Sequence, residues 1–177
     1  MERFHLKRGM MKQVNADGGL IKLGREYFDG VKSSGDDGFE GRFGILSHVS
    51  AEFGSDGTLV VDVQQMKGDE LSDFLEQEDG REQAMESRRR WSAFLDAATG
   101  YDAKKRGDKA KEFAKKRVKA ISGLNQARQF MGISTTLTSE ARAEAEGYIT
   151  EIEEALEAGE FTRAEGRTKK LAKLLEG

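Results

Sequence analysis

The spacing of apolar residues changes after Val63, and the change fixes the fold class of this chain. Between Phe39 and Val63 the apolar residues keep to one parity within each short run. Phe39, Phe43 and Ile45 share a face, then Val49, Ala51 and Phe53, then Leu59, Val61 and Val63. That is the period-two pattern of strands with one buried side. From Asp79 onward the spacing becomes three and four residues, the period of amphipathic helices. A sheet followed by a run of helices is an α+β arrangement.

Further elements follow from the same rule. Glu2 to Lys7 alternates, with Phe4 and Leu6 on one side and Arg3, His5 and Lys7 on the other, so it reads as a strand. Asp17 to Phe28 reads as a helix, with Leu20, Leu23, Gly24, Tyr27 and Phe28 on one side. Gly54-Ser55-Asp56-Gly57 is a hairpin turn supplying positive-φ positions. The helix from about Asp79 has Asp79 and Glu82 at capping-box spacing, an apolar stripe of Ala84, Trp91, Leu95 and Ala98, and a left-handed stop at Gly100. The order β-α-β-β-β-α predicts a two-layer α/β sandwich over residues 1–101.

Residues 102–177 read as a helical extension. Its first helix runs from about Ala103 toward Phe130, with Gly107 and Gly123 as points of a break or bend. A polar loop at 132–138 leads to Thr138, a good N-cap, and a helix with Ala141, Ala145, Tyr148, Ile152 and Leu156 on its apolar face. Gly159 ends that helix. The last helix carries Phe161, Ala164, Thr168, Leu171, Leu174 and Leu175, and the short joint makes the two antiparallel neighbours. The hairpin resembles one tetratricopeptide unit in its Gly-x-Phe-x-x-Ala spacing, but a single unit is no array.

Composition narrows the function classes. There is no cysteine, which removes disulfide and thiolate chemistry. There is no proline, so the chain turns on its 21 glycines. No apolar run reaches the roughly 20 residues of a membrane span, and the opening MERFHLKRGMMKQV lacks a signal-peptide core. The expectation is a soluble cytoplasmic protein with no cofactor. Charge is uneven: residues 1–80 hold 16 acids and 9 bases, residues 81–177 hold 16 acids and 20 bases.

The basic excess is concentrated. Lys104 to Lys119 holds nine Lys or Arg against Asp108 and Glu112. On a helix such a run tracks phosphates, each contact releasing a counterion. The candidate anion-binding residues are Lys104, Lys105, Arg106, Lys109, Lys111, Lys115, Lys116 and Lys119. The opposing reading is a solvated face that pairs with the next helix, since residues 140–160 hold eight Glu and one Arg. Thus the function expected is that of a non-enzymatic binding protein docking RNA or DNA through a basic helix. The alternative is a protein-interaction or self-association module built from the C-terminal helices.

The opening Phe4, Lys7, Arg8 and Gly9, together with Phe94, Leu95, Thr99, Gly100 and Tyr101 followed by basic residues, resembles an archaeal family of small uncharacterised proteins. The resemblance covers about residues 1–116. It implies a two-layer α/β sandwich, an archaeal cytoplasmic source and no catalytic residues to carry over. The helices beyond about residue 117 look like an addition.

Other chemistry finds little support. The strand order resembles half of the TATA-binding-protein fold, lacking one strand, yet the open face carries acids and no aromatics, which argues against reading DNA there. His5 and His48 fall on that same face. With Glu40 or Glu52 they approach a metal-ligand set, but without HExxH spacing, and solvated histidines are the simpler account. Phosphate-binding glycine loops and nucleophile triads are not visible.

Overall fold

A computed structural model describes residues 1–176. Its contacts divide the chain into two compact units, Met1–Gly107 and Asp108–Gly177.

The first unit is built on a five-stranded antiparallel sheet. The elements in chain order are β1 (Glu2–His5), α1 (Met10–Ala16), α2 (Gly19–Tyr27), β2 (Asp29–Ser34), β3 (Gly38–Phe43), β4 (Leu46–Phe53), β5 (Thr58–Gln65), α3 (Gly68–Glu76) and α4 (Gly80–Thr99). The spatial order β1-β5-β4-β3-β2 is a meander from β2 to β5 with β1 added at the far edge. Val49, Ala51, Leu59, Val61 and Phe39 point to one face and pack with Val14, Leu20, Phe28, Phe94, Leu95 and Ala98 of the helical layer. Lys32, Glu40, Arg42, Glu52 and Gln64 are exposed on the other face. This is the expected two-layer α/β sandwich with a C-terminal helical extension, and the expected order β-α-β-β-β-α gains three further elements.

The three additions are β2, α1 and α3, and each has a weak apolar signal. Strand β2 reads DGVKSS, with Val31 as its one apolar residue, because it pairs with β3 alone and its outer side is an edge. Helix α1 has seven residues, and α3 buries none of its residues.

One local expectation failed and one was widened. The capping box at Asp79 does not form: Asp79 makes no cap bond to the backbone and instead accepts from Gln83 Nε2 at 2.5 Å. The buried stripe of α4 keeps the expected Leu95 and Ala98, with Trp91 packed at its side, and extends to Ser87 and Phe94, both fully buried. Ser87 is polar yet satisfied, since its hydroxyl accepts from the Ile45 N–H at 3.2 Å and lies 2.7 Å from the Gln83 carbonyl. The Gly54–Gly57 turn formed as expected, with Gly54 N–H donating to the Thr58 carbonyl at 2.8 Å.

Phe94 is the centre of the core. Its ring lies 5.2 Å from Phe28, 5.5 Å from Phe39, 5.9 Å from Trp91 and 6.1 Å from Tyr27. Three of the four contacts are edge-on and the fourth, to Trp91, is stacked, all at distances where aromatic pairs add to simple burial.

The second unit contains most of α5 (Ala103–Ile133), with α6 (Ser139–Glu157) and α7 (Phe161–Glu176). Its core is Ala120, Leu124, Ala127 and Met131 of α5, Ala145, Ile149, Ile152 and Ala155 of α6, and Ala164 and Leu171 of α7. Thr138 caps α6 as expected, accepting from the Ala141 N–H at 3.1 Å. Helix α5 is continuous for 31 residues, so neither Gly107 nor Gly123 breaks it. Gly123 serves packing instead: a Cβ there would stand 2.1 Å from Thr168 Cγ2, so α5 and α7 touch through a bare backbone.

Phe94→Ala is expected to destabilise the first unit by about 3–5 kcal/mol, the range for truncating a buried aromatic. Urea denaturation followed by the fluorescence of Trp91, the chain's one tryptophan, reads that unit directly.

Candidate anion-binding helix

The basic segment begins where two stretches distant in sequence meet. Helix α4 ends at Gly100, whose φ of 72° is the left-handed stop. Thr99 is fully buried and donates its hydroxyl to the Leu95 carbonyl at 2.7 Å. Its own carbonyl accepts from the Lys7 N–H at 2.8 Å. A Cβ on Gly100 would stand 3.1 Å from Lys7 Cβ and 2.9 Å from Met10 Sδ. The Lys7-Arg8-Gly9 and Thr99-Gly100-Tyr101 motifs therefore meet in the fold.

Asp102 then starts α5. Its carboxylate accepts from the Lys105 N–H at 2.7 Å, satisfying one of the unpaired donors of the first turn. Arg106 follows and turns inward. It is 9% exposed, donates to the Tyr101 carbonyl at 2.6 Å and pairs with the Asp96 carboxylate. Arg106 was a candidate for the binding surface, and this structure assigns it instead to the packing of the first unit.

The remaining candidates divide into engaged and open groups. Lys109 and Lys116 both hold Glu112, at 2.7 and 2.9 Å. Lys116 also donates to Thr162 Oγ1 at 3.1 Å and lies 5.0 Å from the centre of the Phe113 ring. Lys119 reaches Glu165 at 3.8 Å, but Glu165 is also held by Lys169 at 3.3 Å, and the Lys119 side chain stays 70% exposed. Lys104, Lys105, Lys111, Lys115 and Arg117 are exposed, and among the described residues none has a carboxylate within ion-pair distance.

The acidic helix α6 finds other partners. Glu153 pairs with Arg128 of α5, and Glu151 with Arg167 of α7 at 2.6 Å. The Arg128 pair lies beyond the basic run, and no glutamate of α6 pairs with a lysine of that run among the described residues.

Helical geometry sets the open face. Taking 100° per residue, Lys111, Lys115 and Lys119 fall within about 80° of each other and opposite Phe113, Ala120, Leu124 and Met131. Each is one turn from the next, a rise of about 6 Å. The result is a cationic ridge on the second unit. Lys104 and Lys105 belong to the first unit and precede it in the same helix.

His5 and His48 do not converge. They pair with Thr58 and Gln64 of β5, six residues apart and hence about 20 Å along a strand. Among the described residues no cluster of three His, Cys, Asp or Glu forms that would hold a metal ion, and no helix is long and apolar enough to cross a membrane.

The bridging carboxylate of Glu112 is strongly shifted. Hydrogen bonds from Lys109 and then Lys116, with the charge of both, lower it from 4.5 to about 2. A depressed carboxyl stabilises the folded form above its unfolded value and loses that contribution as pH falls through its folded one. A carbon-detected NMR titration of Glu112 is expected to show it ionised at pH 3 with a midpoint near 2. Lys109→Ala should move the midpoint back toward 4.5.

No curated protein and no solved structure matches this chain. The family model described as a domain of unknown function, DUF5611, matches residues 1–112, which takes in the whole sandwich, its two interlocking motifs and the first turns of the basic helix. With more than half of its 177 residues so matched, the chain belongs to the DUF5611 family.

Proposed function

We propose that this protein is a non-enzymatic binding protein that docks a linear polyanion, RNA or DNA, on the exposed cationic ridge of α5. The observation that carries the reading is that Lys111 and Lys115 project one turn apart without a carboxylate partner among the described residues, while Glu153 and Glu151 of α6 meet Arg128 and Arg167. A lysine already held by an acid gains little from a phosphate, because one pair replaces another. An unpaired lysine gains the whole contact and releases the phosphate's counterion. Lys119 continues the ridge. An archaeal cytoplasmic setting, implied by the resemblance over residues 1–116, belongs to the same proposal.

Titration of a fluorescent oligonucleotide with the full chain at two salt concentrations tests this. Binding is expected at low salt and should weaken as salt rises. Lys111→Glu with Lys115→Glu should weaken it at least tenfold and flatten the salt dependence by about two counterions' worth, at roughly 0.9 per contact. Both side chains are exposed, so the fold should survive, which circular dichroism checks. Absence of binding by the unaltered chain at low salt would remove the proposal.

Self-association through the C-terminal helices is the second reading. It is supported by three apolar side chains on α5 that stand in solvent: Val118 is 62% exposed, Ile133 74% and Phe130 38%. Under this reading light scattering gives a mass above one chain that falls to one chain in Val118→Ser with Ile133→Ser. A single-chain mass at the highest concentrations removes it.

A further inference from the structure

Two irregularities in the sheet of the first unit fall side by side. Between β2 and β3 the register passes from Asp29↔Arg42 to Lys32↔Glu40, three steps on β2 against two on β3. The extra residue is Gly30, whose φ of 61° is left-handed, so this is a glycine bulge. Between β3 and β4 the register passes from Gly41↔Val49 to Phe43↔Leu46, and between β4 and β5 from His48↔Gln64 to Leu46↔Gln65. Ser47 is therefore extra against both of its neighbours. A bulge leaves its extra residue outside the ladder and re-aims the side chains beside it. Arg42 of β3 stands between the two bulges.

The effect is felt on the open face of the sheet. Strict alternation through Val49 and Ala51 would point Ser47 into the core. The bulge turns it out, and it is exposed. A cavity of about 320 Å³ opens there, lined by Lys32 of β2, Glu40 and Arg42 of β3, and Ser47 and His48 of β4, with bare backbone at Gly30. That volume suits a small ligand.

Its charges are available. Lys32 and Arg42 are exposed and His48 is half-buried. Among the described residues none of the three has a carboxylate within ion-pair distance. Asp29, across from Arg42 in the register, lies outside the lining. Glu40 is the one acid of the lining, and its carboxylate accepts from Ser34 Oγ at 3.3 Å.

We propose that this cavity binds a small hydroxylated phosphomonoester, its phosphate held by Arg42, Lys32, His48 and Ser47 and one of its hydroxyls by Glu40. A guanidinium fork grips two phosphate oxygens at once. Lys32 adds a point charge from β2, and the His48 ring and the Ser47 hydroxyl add donors from β4. Glu40 is two residues from Arg42 on the same strand, about 7 Å along it. A carboxylate at that distance repels a second phosphate and accepts from a hydroxyl. The site therefore takes one phosphate on a polar carbon skeleton. A nucleic-acid strand is disfavoured, because its next phosphate would meet Glu40. The site lies within the first unit and uses none of the residues of the α5 ridge.

Ribose 5-phosphate is the probe, compared with ribose and with inorganic phosphate. Each is titrated into the full chain and followed by NMR of the backbone amides and histidine rings. Ribose 5-phosphate is expected to shift the Arg42 and Ser47 amides and the His48 ring along one saturable curve. It should bind at least fivefold more tightly than inorganic phosphate, and ribose should shift none of the three. Arg42→Gln and, separately, Lys32→Gln should each weaken ribose 5-phosphate at least tenfold. Both side chains are exposed, so the fold should survive, which the remaining amide signals check. Glu40→Gln should bring ribose 5-phosphate and inorganic phosphate within twofold of each other. Lys111→Glu with Lys115→Glu should bind the probe as the unaltered chain does, which separates this site from the ridge. Absence of a saturable shift at Ser47 and His48 overturns the proposal, as does equal binding of ribose or unchanged binding in both Arg42→Gln and Lys32→Gln. Shifts as large at Lys111 and Lys115 as at the cavity would mark general attraction of an anion to lysines and overturn it too. An unchanged preference in Glu40→Gln overturns the hydroxyl contact.

Discussion

The packing of Phe94 against Phe28, Phe39, Tyr27 and Trp91 is the contact on which the first unit depends. A single helix residue touches aromatic rings from β3, from α2 and its C-terminal boundary, and from its own helix. The ring contact sets the rotation of α4, and that rotation has three consequences. Ser87 is turned onto the β3–β4 connection, where its hydroxyl answers the Ile45 N–H. Trp91 is carried to the end of the sheet beside β5. Thr99 is delivered to Lys7, so the opening of the chain is held to the end of α4. Loss of the Phe94 ring loosens all three at once, because they share one rigid helix.

The same contact explains what was legible in the sequence. Strands β3, β4 and β5 carry strict alternation since one face is buried and the other wet, and a slip of one residue would invert every side chain. Helices α6 and α7 were equally plain, with Thr138 and Gly159 marking their ends. Phe94 itself fell outside the stripe expected for α4. A polar Ser87 sits at the centre of the buried face, and pattern reading counts a serine as solvent-facing. Strand β2 was hidden for the opposite reason: an edge strand has half its surroundings in water and needs no apolar face. Helix α3 buries nothing fully, so its Leu71, Phe74 and Leu75 gave too short a signal.

The candidate site was legible as charge and illegible as availability. Nine cations in sixteen residues are visible in any reading. Which of them are engaged depends on three-dimensional neighbours: Asp96 for Arg106, Thr162 for Lys116, Glu165 for Lys119. The sequence offered the glutamates of α6 as the natural partners, since they follow next in the chain. Two of those glutamates, Glu153 and Glu151, meet arginines instead. An arginine's planar fork suits a carboxylate better than a lysine's point charge does, so Arg128 and Arg167 are well matched to Glu153 and Glu151.

That division of labour sets the kind of binding the ridge supports. Residues 108–177 contain thirteen bases and twelve acids, so the second unit is close to neutral as a whole. Steering from a distance scales with the summed charge and is screened within about 8 Å at physiological salt. A near-neutral body therefore exerts little pull on a distant polyanion. Within contact range the acids of α6 are already paired in part, while among the described residues Lys111 and Lys115 have no carboxylate partner and Lys119 shares Glu165 with Lys169. Docking on such a surface is governed by how many phosphates the ridge neutralises on arrival and not by the approach. Charge reversal on the ridge then acts chiefly on dissociation, whereas a change of net charge elsewhere on the unit leaves the complex nearly as it was.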